Sequence, residues 1–162
     1  MPVSIIENIA LEILDRLSGM IGNTDDYPID IQEVARPPRF AGFTPRDKQI
    51  VLTEGVEAVV PELSCPGNPP AVASVRTFNI RCHLMPSERS DEAIDAQINE
   101  FASNVKKAIC TPASSWHTFG GNALFAEWGS LQPFVAAGGI DGINMPLRVT
   151  YRVSENDPYT QR

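Results

Sequence analysis

Few side chains in this sequence have the chemistry to make or break a covalent bond. The histidines are His83 and His117, and the cysteines are Cys65, Cys82 and Cys110. None of these five stand at the C-x-x-C or H-x-x-x-H spacing that brings two ligands onto one metal ion. Ser114, Ser115 and His117 lie close together in sequence, but there is no G-x-S-x-G elbow, and neighbours in one loop rarely meet the geometry of a triad. A thiol nucleophile, Cys65 or Cys110 paired with His117, is no better supported. Gly138-Gly139-Ile140-Asp141-Gly142 is glycine-rich, yet it leads into a strand pattern, so no helix N-terminus follows to hold a phosphate. Asp25-Asp26 reads as a turn, and Asp91-Glu92 as the first turn of a helix. The expectation is therefore no catalytic residue, no metal and no cofactor. A small hydrolase using His117 is the enzymatic alternative.

The elements that position these residues can be read from periodicity. Ser4-Ile5-Ile6-Glu7 matches a capping box. Ile5, Ile9, Ile13 and Leu17 then recur every fourth residue, predicting an amphipathic helix from Ser4 to Met20, about 25 Å long. Ile29 to Val34 reads as a strand, and Gln49–Thr53 and Val56–Val60 as two short strands. Val75 to Leu84 is the clearest strand: Phe78, Ile80, Cys82 and Leu84 point one way, and Thr77, Asn79, Arg81 and His83 the other. A second helix runs from Asp91 to Ile109, acidic at its start and basic at Lys106-Lys107, as the helix dipole favours. Ala123 to Val135 is a strand region bent at Gly129 or Pro133. Ile143 to Val153 alternates strictly and predicts a long half-buried strand, with Pro146 placing its start at an edge. Loops are expected at 35–48, 61–71 and 111–121, and a polar tail at 155–162.

With both helices and both long strands apolar on one side, the economical packing is an α+β two-layer sandwich in one domain, residues 1–162. Two helices would lie on one face of a mainly antiparallel sheet. The other face, carrying Arg81, His83, Arg148 and Arg152, would stay open to water or a partner. A small-molecule site there would need a concave pocket of about 300 Å3. The alternating Arg and Thr residues of the last strand argue for a flat polar face instead.

The chain has 162 residues and a net charge of −7, from 13 basic and 20 acidic side chains. That balance argues against sequence-specific nucleic-acid binding, which needs clustered cations. The first residues lack the basic region of a signal peptide, and no apolar run reaches the ~18 residues of a membrane span. The charge is segregated along the chain. Leu17–Ala35 holds four acids and no base, Arg36–Lys48 four bases and one acid, and Gln49–Val75 three acids and no base. Either these are solvated loops, or Arg36, Arg39, Arg46 and Lys48 meet an acidic flank of another copy of the chain. The loop aromatics Phe40, Phe43, Trp116 and Phe119 are likewise either folded back on the core or anchors at an interface.

In its order of elements, the chain resembles the tail-terminator proteins of long-tailed bacteriophages, the minor tail protein U type. The resemblance rests on helix Ser4–Met20, the Arg36–Lys48 loop, strand Val75–Leu84 and helix Asp91–Ile109. Its strongest local match is the ending Leu147-Arg148-Val149-Thr150-Tyr151-Arg152, followed by Asp157-Pro158-Tyr159. The resemblance implies a non-enzymatic virion subunit that forms a hexameric ring, caps the tail tube and stops its polymerisation. The ring's other face would meet a head-completion or neck protein, and DNA would pass through its centre. A neck or head–tail connector subunit is the alternative. Assembly would take place in the host cytoplasm.

Overall fold

The computed structural model describes residues 3–38, 42–86, 90–136 and 138–161. Two helices, α1 (Ile5–Ser18) and α2 (Asp91–Ile109), pack on one face of a seven-stranded, mostly antiparallel open sheet, an α+β fold. The strands are β1 (Glu33–Ala35), β2 (Gln49–Val59), β3 (Ala71–Leu84), β4 (Phe125–Trp128), β5 (Gln132–Ala136), β6 (Ile140–Ser154) and β7 (Asp157–Gln161). Across the sheet the order is β1-β2-β3-β6-β4, with β5 and β7 also paired to β6. Among the described residues β1–β2 is the one parallel strand pair, beside an isolated parallel bridge between Ile21 and Ile31.

Each helix starts where a serine accepts an otherwise orphan amide. Ser4 Oγ accepts from the Glu7 N–H at 3.3 Å, and Ser90 Oγ from the Ala93 N–H at 3.3 Å. The Glu7 carboxylate turns to Arg36 instead of back to the cap. Ile9, Ile13 and Leu17 of α1 and Phe101, Val105 and Ile109 of α2 meet Phe78 and Ile80 of β3 and Met145, Leu147 and Val149 of β6 in one core. Arg16 ties the helix layer together: it donates to the carbonyls of Ile109 at 2.6 Å and Trp116 at 3.2 Å, and lies over the Phe119 ring.

The structure departs from the sequence expectations in several strands; the strand expected from Ile143 begins at Ile140, and the bent region 123–135 is two strands, β4 and β5. Glu33–Ala35, rather than all of Ile29–Val34, forms the first strand, because only these residues align with Gln49–Val51. The two short strands expected at 49–60 are one strand; Glu54-Gly55 is the start of a bulge between Glu54 and Glu57, not a break. Val75–Leu84 extends back to Ala71. The expected polar tail contains β7, which pairs with the end of β6. Pro146 is not at an edge: β6 is flanked by β3 on one side and by β4 and β5 on the other. The Pro146 carbonyl accepts from the Gly129 N–H at 2.7 Å, so its missing donor faces the gap where the neighbour changes from β4 to β5. A proline is tolerated there because the ladder on that side is already interrupted.

Candidate functional site

A charged network on the helix side of the sheet involves one of the predicted residues. The Arg36 guanidinium donates to both oxygens of Glu7, at 2.7 and 2.8 Å, and to Glu54. Arg76 donates to Glu54 at 3.1 Å and to Glu57 at 3.1 Å through Nε. Tyr151 stands beside Glu57 and Arg76, and burial followed by the Glu57 charge pushes its hydroxyl above the ordinary phenol value. The Glu7 hydrogen bond, with Glu54 adding to it, makes Arg36 still more basic than a free guanidinium. The network joins α1, the chain leading out of β1, and the β2–β3 hairpin. Sequence reasoning missed Glu7, Glu54, Glu57, Arg76 and Tyr151 as members. The signal was present: Arg76 shares the alternation of Phe78 and Ile80, and Glu54 that of Ile50 and Leu52, so charges stand on the apolar face.

The other basic-loop residues are dispersed. Arg46 is 70% exposed and reaches Glu33 at 3.4 Å. Lys48 has a left-handed backbone, φ 54°, and borders a 200 Å3 cleft between Ile29, Leu84 and α2. Arg39 and Phe40 lie outside the described residues. Two of the remaining aromatics are partly buried: Phe43 sits edge-on to the His83 ring at 5.7 Å, and Trp116 stacks on Trp128 at 6.5 Å. Phe119 corrects its place among the interface candidates. It is fully buried beneath Arg16 and offers no surface to a partner. His117 packs against Trp116 at 6.0 Å, and among the described residues no hydrogen bond joins its ring to Ser114, Ser115, Cys65 or Cys110.

The second sheet face is less open than its polar alternation implies. At one end Phe43 and Phe134 close on His83 from two sides, leaving the imidazole buried and its Nδ1 without a partner. Burial lowers the His83 pKa below its ordinary 6.5; the backbone of Gln49 acts in the opposite direction, and the Arg81 charge lowers it further. At the other end Arg152 donates to the Leu63 carbonyl at 2.6 Å and Ser64 Oγ accepts from the Ala73 N–H at 3.0 Å, drawing the Pro-rich loop over the sheet. Arg81 and Arg148 remain exposed. Between the covered ends runs a groove of 330 Å3 lined by Arg81, Gln132, Pro133, Phe134 and Asn144. The face is therefore concave there, not flat as expected. Among the described residues no three His, Cys, Asp or Glu side chains are grouped to hold a metal ion.

Some of the exposed apolar side chains stand at the lateral limits of the sheet; Val3, Leu11, Ile21 and Met85 are exposed elsewhere, and Tyr159 is exposed on β7. β1 covers only Gln49–Val51 of β2, so β2 presents a free edge from Leu52 onward among the described residues. Val56, at 82% exposure, and Val59 stand along it. On the opposite side, beyond β6, Phe125, Leu131 and Val135 are exposed, Val135 at 78%. No family model matches the chain, and no curated protein matches it.

Proposed function

We propose that the chain is a ring-forming structural subunit of a phage tail, of the tail-terminator type. It caps the tail tube, ends polymerisation of the tube protein and offers its other face for head joining. Its partners are further copies of itself, the major tail tube protein and a head-completion or neck protein. The observation that carries this reading is the pair of unlike apolar edges at opposite limits of one sheet. A head-to-tail contact needs two different patches on opposite sides of the subunit, and it closes into a ring when the rotation per subunit allows. β2, with Val56 and Val59, supplies one patch; β4 and β5, with Phe125 and Val135, supply the other. The resemblance in element order supplies the rest of the reading.

The basic loop has a smaller share in this contact than its charge implied, because Arg36 and Arg46 already face Glu7, Glu54 and Glu33 within the chain. Negative-stain micrographs of the purified protein test the ring: a six-fold annulus is expected. Val56→Asp and Val135→Asp, on opposite edges, are each expected to disperse it. Rings that survive both substitutions would remove the edges from the contact. In lysates of a phage with this gene disrupted, overlong tubes are the expected product. Tails of normal length unjoined to heads would reject the capping role in favour of a neck position.

A further inference from the structure

One end of the second sheet face is closed over Gln49, Val51 and His83, all buried, with Gln49 opposite His83 and Val51 opposite Arg81 in the β2–β3 register. The groups around the imidazole offer a proton no counter-charge. Its same-face neighbour on β3 is Arg81. Opposite on β2 stands Gln49, whose amide donates to Glu33 at 3.1 Å and accepts from the Arg46 N–H at 3.2 Å. Opposite on β6 is Gly142, and the alternation turns Asp141 to the helix side. Phe134 comes from β5. The segment 42–47 brings Phe43, Arg46, which faces Glu33, and Asp47, whose Oδ1 accepts from the Met85 N–H at 2.6 Å. The ionised side chain that bears on His83 is Arg81, of like sign. A proton on this ring would be a buried charge without a partner, which costs far more than the same charge in water. The two covering rings are not equally free to move. Phe134 sits on a strand paired to β6, so close to Gly142 that a Cβ there would lie 2.5 Å from its Cζ. Phe43 lies between β1 and β2, outside any helix or strand, and the hydrogen bonds that hold 42–47 among the described residues are those of Arg46 and Asp47 at its far end.

We propose that the segment 42–47 is an acid-released latch: when His83 takes up a proton, Phe43 lifts from the imidazole and admits water, while Phe134 and the rest of the fold stay in place. An imidazole open to water binds its proton at the ordinary 6.5, and the covered one binds it less readily. Below pH 6.5 the lifted form therefore gains up to about ten-fold per pH unit, until the covered ring titrates as well. The cost of lifting is local, because 42–47 leaves no ladder behind, whereas moving Phe134 would break the pairing of β5 with β6. The device needs no second subunit, so it can hold or fail whether or not the ring forms.

The test is fluorine NMR of the full chain carrying para-fluorophenylalanine, from about pH 7.5 to about pH 4.5, across the range in which histidine titrates. Phe43→Leu and Phe134→Leu assign the two lines. Below pH 6.5 the Phe43 line is expected to move toward the position found in the unfolded chain, while the Phe134 line and the far-ultraviolet circular dichroism hold. In His83→Gln, which has no ring to protonate, the Phe43 line is expected to stay fixed. In Phe43→Ala, where the imidazole is uncovered from the start, the His83 ring is expected to titrate closer to 6.5 than in the unmodified chain. A Phe43 line that stays fixed throughout, one that moves equally in His83→Gln and so answers to a carboxylate such as Asp47, one that moves only as the circular dichroism is lost, or a His83 midpoint unchanged in Phe43→Ala would each overturn the proposal.

Discussion

Replacing Glu54 by alanine tests whether the charged network holds the β2–β3 hairpin to α1. Glu54 is 11% exposed and accepts from both Arg36 and Arg76. The substitution removes at least the two charge-assisted contacts to Arg36 and Arg76, each worth about 1.5–3 kcal/mol when buried. Two facts push the total toward the lower end. Arg36 keeps Glu7 and Arg76 keeps Glu57, and those carboxylates are 40% and 37% exposed, where water screens them. The expected loss is about 3 kcal/mol. For a chain of this size roughly 2–4 °C of Tm accompany each kcal/mol, so Tm should fall by about 6–12 °C. Calorimetry or urea titration measures it. Arg46→Ala is the matched control: its pair with Glu33 is loose and exposed, so the loss should stay under about 1 kcal/mol. Combining Glu54→Ala with Arg76→Ala should cost less than the sum of the two, because both remove the same contact. If Glu54→Ala were no more damaging than Arg46→Ala, the network would be a surface feature and the reasoning would fail.

Gly142→Ala should destabilise the fold by about 1–3 kcal/mol, since the new Cβ would lie 2.6 Å from the Cys82 carbonyl as well as against Phe134; an unchanged Tm would refute the close approach. His83 is held neutral by burial, with its pKa below 6.5, so the unfolded chain binds the proton first. The stability this contributes is complete above pH 6.5 and declines as pH falls below it, until the folded imidazole titrates too. His83→Gln should flatten the slope of unfolding free energy between pH 6.5 and 5.5; parallel slopes in the two proteins would count against a buried neutral imidazole. Cys65 is exposed, while burial pushes the Cys82 thiol far up. A thiol reagent should therefore label Cys65 quickly and Cys82 only on unfolding, and equal labelling rates would contradict the packing of β3.

Both helices, the long β3 and β6 strands and the two-layer arrangement were legible because each carries one apolar side at its own period, and burial enforces that period. Ser90 and Asp91 marked the start of α2 because an orphan amide and the helix dipole act over a single turn. β7 was not legible: its residues are polar, and it is a strand because β6 offers it a free edge. Pro146 misled because its effect on a ladder depends on which neighbour stands opposite, and that neighbour comes from a distant segment. Parity placed Arg81 and His83 correctly on the second face, but parity is blind to what folds over a face. Phe43 and Phe134 arrive from loop and strand segments far from His83, and only their meeting makes one residue buried and leaves the other at the rim of a groove. The charge runs were equally plain in sequence, while their pairing was not, since Arg36 finds Glu7 and Glu54 across chain separations of 29 and 18 residues. Local alternation fixes which side chains share a face, because it follows from backbone geometry alone. Which of those side chains stay free to meet another molecule is set by contacts between remote segments, and these exist only once the chain has closed on itself.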